Sequence, residues 1–316
     1  MMTRISVSVP ATTANLGPGY DSFGMALELR NEFSAQLADD WSVAIEGQGA
    51  DVLLHDGGNM VARGMAAVFE AAGQPELRAE IHCLNRVPLG SGLGSSSSAL
   101  VGGATLARML LREVLDSKWR ISDQDLFGLL AQLEGHPDNV APALFGGFTI
   151  CWTDADAPDV PRCEHFQLVS PMAAVIVTSN RELSTAYART LLPEVVPHAD
   201  AGFNAAHAGL LAGALVSGRL EMLHVAVADK LHEPYRAAAI GDYDQVSAIL
   251  REAGADAVAI SGSGPTVIAF VTGFTPNSAF IKAEGIAEKT ADALDALGTR
   301  NAPQAVGFAV RGFMPM

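Results

Sequence analysis

Residues 87–103 read VPLGSGLGSSSSALVGG. Glycines alternate at Gly90, Gly92 and Gly94, four serines run from Ser95 to Ser98, and an apolar segment begins at once. Glycine frees the backbone for positive φ and lets another group come close to the main chain. A flexible linker has this composition too, but the stretch is short and follows the strand-like RAEIHCLNRV. A turn from strand into helix is the better reading. Such a turn is either purely structural or a phosphate site, because a helix N-terminus offers free amides and a positive dipole end. The serine hydroxyls add donors, and one of them can ligate Mg²⁺. Two nucleotide motifs fail here. No lysine completes GxxxxGK[ST], and Ser97 stands where GxGxxG needs its third glycine.

The remaining patterns bound the fold. Ile5, Val7 and Val9 alternate with other residues, as do Met25, Leu27 and Leu29, and then Val43 and Ile45, which predicts neighbouring antiparallel strands. NMVARGMAAVFEAAG predicts a helix ending near Gly73. SDQDLFGLLAQLEG predicts one capped by Ser122 and stopped by Gly135. WTDADAPDVPRCEHFQLVSP, residues 152–171, is rich in Pro and Asp and is the candidate region between domains. MAAVIVTS predicts a buried strand, and residues 203–229 contain helical material. DAVAISGSGPTVIAFV predicts a hairpin, FIKAEGIAEKTADALDALG a helix, and AVGFAVRGF a last strand. There is no regular βαβ alternation, so the fold class is α+β.

A chain of 316 residues, 49% apolar and 17% charged, forms one large or two moderate domains rather than a disordered segment. The net charge, 20 − 35 = −15, argues against general binding to nucleic acid, which needs Lys and Arg. Cys83, Cys151 and Cys163 are few, odd in number and far apart, so no disulfide framework or zinc site is expected. The N-terminal MMTRISVSVP has no long apolar core, and the apolar stretches are interrupted, so neither a secretory leader nor a membrane span is expected. A cytoplasmic protein is the expectation, and a homodimer is among the assemblies compatible with the sequence.

Three further clusters carry polar chemistry. ATTANLGPGYDSFG holds Asn15 and Asp21, which serve either turn geometry or a hydroxyl and an ammonium. EGHPDNVAP holds Glu134, His136, Asp138 and Asn139. A helix stop explains its Gly and Pro but not four polar groups, and Glu134 with a loop serine suits Mg²⁺. Arg189 and Arg236 are ordinary surface charges if taken singly and a carboxylate clamp if taken as a pair. Asn59 starts a helix, which its capping role alone explains.

PLGSGLGSSSSA resembles the P-x-x-x-G-L-G-S-S-x-A phosphate loop of the GHMP kinases, and SGSGPTVIAF resembles their C-terminal glycine-rich motif. VPATTANLGPGYDSFGMAL, EGHPDNVAPALFGGF, STAYARTLLP and DKLHEPYR are similar to the homoserine kinase branch of that superfamily. The six motifs run in order from residue 9 to residue 270. The resemblance implies a two-domain fold. Residues 1–165 would be like domain 2 of ribosomal protein S5 and carry the phosphate loop, and residues 166–316 would be ferredoxin-like. It implies ATP-dependent phosphorylation of L-homoserine to O-phospho-L-homoserine, with ATP and Mg²⁺. Pro88, Leu89, Gly90, Ser91, Gly92, Leu93, Gly94, Ser95, Ser96, Ser97 and Ser98 would surround the phosphates, with Asn59 near the adenine or ribose. Ser96 and Glu134 would hold Mg²⁺, with Ser95 and Ser97 as rivals to Ser96. Asn15, Asp21, His136, Asn139, Arg189 and Arg236 would hold the substrate. The alternatives are another small-molecule kinase of the superfamily, of mevalonate or shikimate type, and a non-catalytic ligand-binding relative.

Overall fold

The chain begins on a strand pair. A computed structural model describes residues 3–316, so the start of the N-terminal stretch read above for a leader lies outside the described residues. β1 (Ile5–Ala14) and β2 (Phe23–Ala38) pair antiparallel. β3 (Ser42–Gly47), α1 (Met60–Ala71), β4 (Arg78–Asn85) and α2 (Ser95–Met109) follow, and then α3 (Asp123–Glu134), α4 (Val140–Phe145), β5 (Phe148–Asp154) and β6 (Ala157–Phe166). The second half runs β7 (Met172–Val177), α5 (Thr185–Thr190), α6 (His198–Ser217), α7 (Leu223–Ala226), α8 (Glu233–Ile240), α9 (Tyr243–Glu252), β8 (Ala257–Ile260), β9 (Val267–Thr272), α10 (Pro276–Asp295), β10 (Gln304–Gly307) and β11 (Met314–Pro315).

Among the described residues there are two sheets. The first has seven strands in the order β11-β1-β2-β4-β3, with β5 on β2 and β6 on β5; the second runs β10-β7-β9-β8. Side chains of the first sheet pack against α1 to α4 in one core cluster. The second sheet is buried on both faces. In β7, Met172, Ala174 and Ile176 join a cluster shared with β1, β2, β5 and α6, while Ala173, Val175 and Val177 pack with α9 and α10. This is the period-two alternation of a strand between two apolar layers.

Three sequence expectations need correction. β3 does not neighbour β2; it pairs in parallel with β4 at the sheet edge. The crossover through α1 reverses its direction relative to a hairpin. Most of the stretch expected between domains is regular structure, with residues 152–166 forming most of the β5–β6 hairpin. Pro158 and Pro161 sit on β6, which among the described residues pairs only with β5, so their missing amides cost no second ladder. The last strand is split. β10 stops at Gly307, and β11 returns to the first sheet beside β1.

One helix contact sets the height of the serine-rich helix start. A Cβ on Gly103 of α2 would lie 1.9 Å from the Val61 carbonyl oxygen of α1, and one on Gly64 would lie 2.3 Å from that of Leu100. The helices therefore touch through their backbones. Gly103→Ala should force them apart and lower stability by about 1–3 kcal/mol, the usual cost of overpacking. Urea unfolding reads this out, and an unchanged midpoint would contradict the backbone contact.

Candidate functional site

The strand-to-helix turn ends in an uncapped helix. Gly94 takes φ 66° at the start of α2, and no side chain caps the first-turn amides. Those amides face a cleft of about 190 Å³ lined by Pro88, Gly90 to Ser97, Glu134, His136, Asp138, Asn139, Asn15, Asp21, Arg189, Arg236 and the 262–263 turn, among others. A second hollow of about 370 Å³, with Val52, Leu53, Leu54, Asn59, Met60 and Leu89 in its wall, shares Gly90, Ser95 and Ser96 with the first. A cleft lined by charged and polar side chains therefore adjoins a more apolar hollow across Gly90, Ser95 and Ser96.

The serine run divides by orientation. Ser96 is exposed, whereas Ser97 and Ser98 are fully buried. The Ser96 Oγ donates to Glu134 Oε2 at 3.0 Å, and the Ser97 Oγ donates to Glu134 Oε1 at 2.8 Å. Glu134 ends α3, where Gly135 turns the chain away with φ 88°. Ser98 is turned into the protein. Its amide bonds the Gly94 carbonyl, and its hydroxyl accepts from Asn31 and reaches Val9 O at 3.5 Å. Among the described residues no group of three His, Cys, Asp or Glu is placed to hold a metal. One carboxylate and two hydroxyls instead suit a hard cation that takes its other oxygens from phosphate and water.

Glycine at position 92 serves a contact the sequence reading did not include. Its φ is +80°, and a Cβ there would lie 2.2 Å from the Ser261 carbonyl oxygen. The loop is pressed against the β8–β9 turn, not merely kept clear for a ligand.

The two amides expected at the substrate are engaged within the protein. Asn15, at φ 68°, donates to Gly262 O at 2.7 Å and accepts from the Asp21 amide at 2.9 Å. Asn139 accepts from the Thr12 hydroxyl at 2.7 Å. Asn59 caps α1, accepting from the Val61 amide at 2.9 Å, and also borders the apolar hollow. His136 Nδ1 lies 3.2 Å from Asp138 Oδ1 without the alignment of a hydrogen bond. Burial disfavours its imidazolium, but Asp138 and Glu134 outweigh that and hold the ring above the usual histidine range.

The family resemblance sets Asp21 and Arg189 against opposite ends of one ligand. They meet each other instead: Arg189 donates from both Nη atoms to the two Asp21 oxygens at 2.8 Å. Arg236 is 2% exposed. It donates to Gly262 O at 3.1 Å and to His232 Nδ1 at 3.2 Å, and its Nε has no partner. His232 Nε2 donates to Gly17 O at 2.7 Å, which fixes the neutral tautomer, and burial depresses its pKa to about 4. Sequence reasoning passed over Tyr20 and His232. The four-residue spacing of His232 and Arg236 on one helical face was the available signal; nothing local marked Tyr20.

A glycine-ringed helix start, an acid beside its hydroxyls and a cation pair across the cleft define a small-molecule phosphotransferase of the GHMP kinase class. The chain matches the GHMP kinases N terminal domain over residues 59–147 and the GHMP kinases C terminal family over residues 211–298. It is 41% identical to a homoserine kinase of Clavibacter michiganensis subsp. michiganensis, over 93% of this chain and 90% of that protein. It is 38% identical to a homoserine kinase of Moorella thermoacetica, over 90% and 93% respectively. The crystal structure of homoserine kinase from Cytophaga hutchinsonii superposes with a TM-score of 0.83 at 26% identity, covering 100% of this chain and 98% of that one. The chain belongs to the homoserine kinase family.

Glu233, next to the site, is buried, with one oxygen accepting from the Ile260 amide at 2.6 Å and the other from the Tyr243 hydroxyl at 3.0 Å. Burial nonetheless raises its pKa to about 8. Between the ordinary glutamate value and pH 8 the folded state holds a proton that the unfolded state has lost. This group's contribution therefore falls as pH rises through that window, by at most about 1.4 kcal/mol per pH unit. Glu233→Gln should flatten the decline of stability from pH 5 to 8. A denaturation series with parallel slopes for both proteins would refute the buried-proton assignment.

Proposed function

We propose that the cleft transfers the terminal phosphoryl group of ATP to the side-chain hydroxyl of L-homoserine, giving O-phospho-L-homoserine on the route to threonine. The observation that carries this reading is the uncapped start of α2 facing both the Glu134 carboxylate and the Asp21, Arg189 and Arg236 charges across one cleft. The α2 amides suit the phosphates. The apolar hollow beside them, with Asn59 in its wall, suits the base and sugar.

Ser96 and Glu134 would hold Mg²⁺, which would supply charge neutralisation on the phosphates. Their fit rests on the hard-oxygen donor set and on the exposure of Ser96, which favours it over buried Ser97. The loop contains no lysine, so the amides carry a larger share of the binding. Phosphoryl transfer relies on alignment and charge more than on covalent participation by the protein. Asn15 and Asn139 keep the floor of the cleft in shape through their own hydrogen bonds. Asp21 suits an ammonium, and Arg189 with Arg236 suits a carboxylate. The resting Asp21–Arg189 pair then exchanges for contacts with a zwitterion, and each charge finds a new partner. Mevalonate and shikimate bring no ammonium, which leaves Asp21 unpaired whenever Arg189 turns to their carboxylate. An unpaired charge of this kind is a strong basis for discrimination. The proposed division near residue 165 puts the phosphate loop in one half and Arg189 and Arg236 in the other.

ADP release should be far faster per substrate concentration with L-homoserine than with mevalonate or shikimate. Preference for either of those would overturn the substrate assignment and leave the kinase class intact. Glu134→Gln should lower turnover by at least about tenfold, on the scale of one lost charge contact in the transition state, and leave the melting temperature nearly unchanged. Ser96→Ala should act in the same direction. Near-wild-type turnover of Glu134→Gln at low Mg²⁺ would remove that residue from the metal site, and a larger loss at Ser97→Ala would move the ligand by one position.

A further inference from the structure

The loop between β1 and β2 is held in a costly shape. Asn15, Leu16 and Asp21 all have positive φ, at 68°, 54° and 53°, a region that side chains other than glycine enter at a cost. Three ties maintain it: Asn15 to Gly262, Asn15 to the Asp21 amide, and His232 to Gly17. The shape delivers one aromatic ring, Tyr20, to both arginines.

Tyr20 is partly buried and lies against Arg189, Arg236 and His232. Its hydroxyl accepts from Arg189 Nη1 at 2.9 Å. The Arg189 guanidinium carbon lies 5.9 Å from the ring centroid, and that of Arg236 lies 5.3 Å from it. His232, which holds Arg236 through Nδ1, has its ring centroid 5.5 Å from that of Tyr20. Two guanidiniums in one cleft repel each other. An aromatic face attracts each of them through its quadrupole and restricts where each plane can lie. Arg236 in addition keeps a buried Nε with no partner, so it waits for an acceptor. Burial and the neighbouring Asp21 carboxylate both hold the Tyr20 hydroxyl protonated above its ordinary range, so the ring stays neutral beside the cations.

We infer that Tyr20 is a positioning residue that orients Arg189 and Arg236 toward a shared carboxylate, and so sets the preference for an α-carboxylate on the alcohol substrate. This rests on the substrate reading above. Tyr20 acts through the arginines. Its effect therefore falls on substrates that carry a carboxylate and passes over those that do not.

The test compares L-homoserine with 3-amino-1-propanol, the same amino alcohol without the carboxylate, in the wild type, Tyr20→Phe and Tyr20→Leu. Tyr20→Phe keeps the ring and loses one hydrogen bond to a cation. Its KM for L-homoserine should rise by about tenfold, with kcat and the KM for ATP within about twofold. Tyr20→Leu loses the ring as well. Its kcat/KM for L-homoserine should fall by about a hundredfold, with 3-amino-1-propanol changed little, so the preference between the two collapses. A Tyr20→Leu enzyme that loses activity equally on both substrates, or keeps the wild-type preference, overturns the inference and leaves the substrate reading standing. If that variant does not fold, Tyr20→Phe decides, and an unchanged KM for L-homoserine overturns it. A wild-type enzyme with no preference for L-homoserine overturns the substrate reading and this inference together.

Discussion

A seam of buried hydrogen bonds joins three distant segments, and the cleft exists only where they meet. The Thr12 amide donates to Leu93 O at 3.0 Å, the Gly262 amide to Ala14 O at 3.0 Å, and the Thr266 amide to Ser91 O at 3.2 Å. The Ser261 hydroxyl reaches Gly92 O at 2.8 Å. The Gly262 carbonyl accepts from both Asn15 and Arg236. The first strand, the phosphate loop and the late hairpin turn are therefore registered against one another within hydrogen-bond tolerance. Polar groups buried this deeply are costly to leave unpaired, so the seam also disfavours any arrangement in which one segment slides.

The electrostatic design is local. The chain carries a net charge of −15, yet the cleft wall concentrates two arginines and a set of free helix amides. The cationic groups are kept apart by role. The α2 amides lie beside Glu134, and the arginines lie against Asp21 and Tyr20. Neutral His232 holds Arg236 in place without adding a third charge, because burial keeps its ring unprotonated.

Much of this was legible from local pattern. The Ser122 cap and Gly135 stop bound α3 to the residue, because both signals act through backbone groups within one turn of the helix. The β8–β9 hairpin was legible for the same reason. The β5–β6 hairpin was not. Its Pro and Asp residues suit an exposed edge strand as well as a linker, and only pairing with β2 tells the two apart. The position of β3 was hidden because its partner β4 arrives only after a helix.

The sequence by itself determined which chemistry was available: a glycine–serine loop entering a helix, one acid after a helix stop, an amide–carboxylate loop and two arginines in separate motifs. It also determined the α+β class and, through six motifs in order, the family. Tertiary structure alone decided how those groups address one another. It paired Asp21 with Arg189, turned Ser98 inward while leaving Ser96 exposed, made Gly92 a contact for Ser261, and set Tyr20 against both arginines. Spacing along a chain constrains neighbours within a strand or a helical turn. Contacts between residues 20, 189 and 236 depend on how two sheets and their helices pack, and no local pattern encodes that packing.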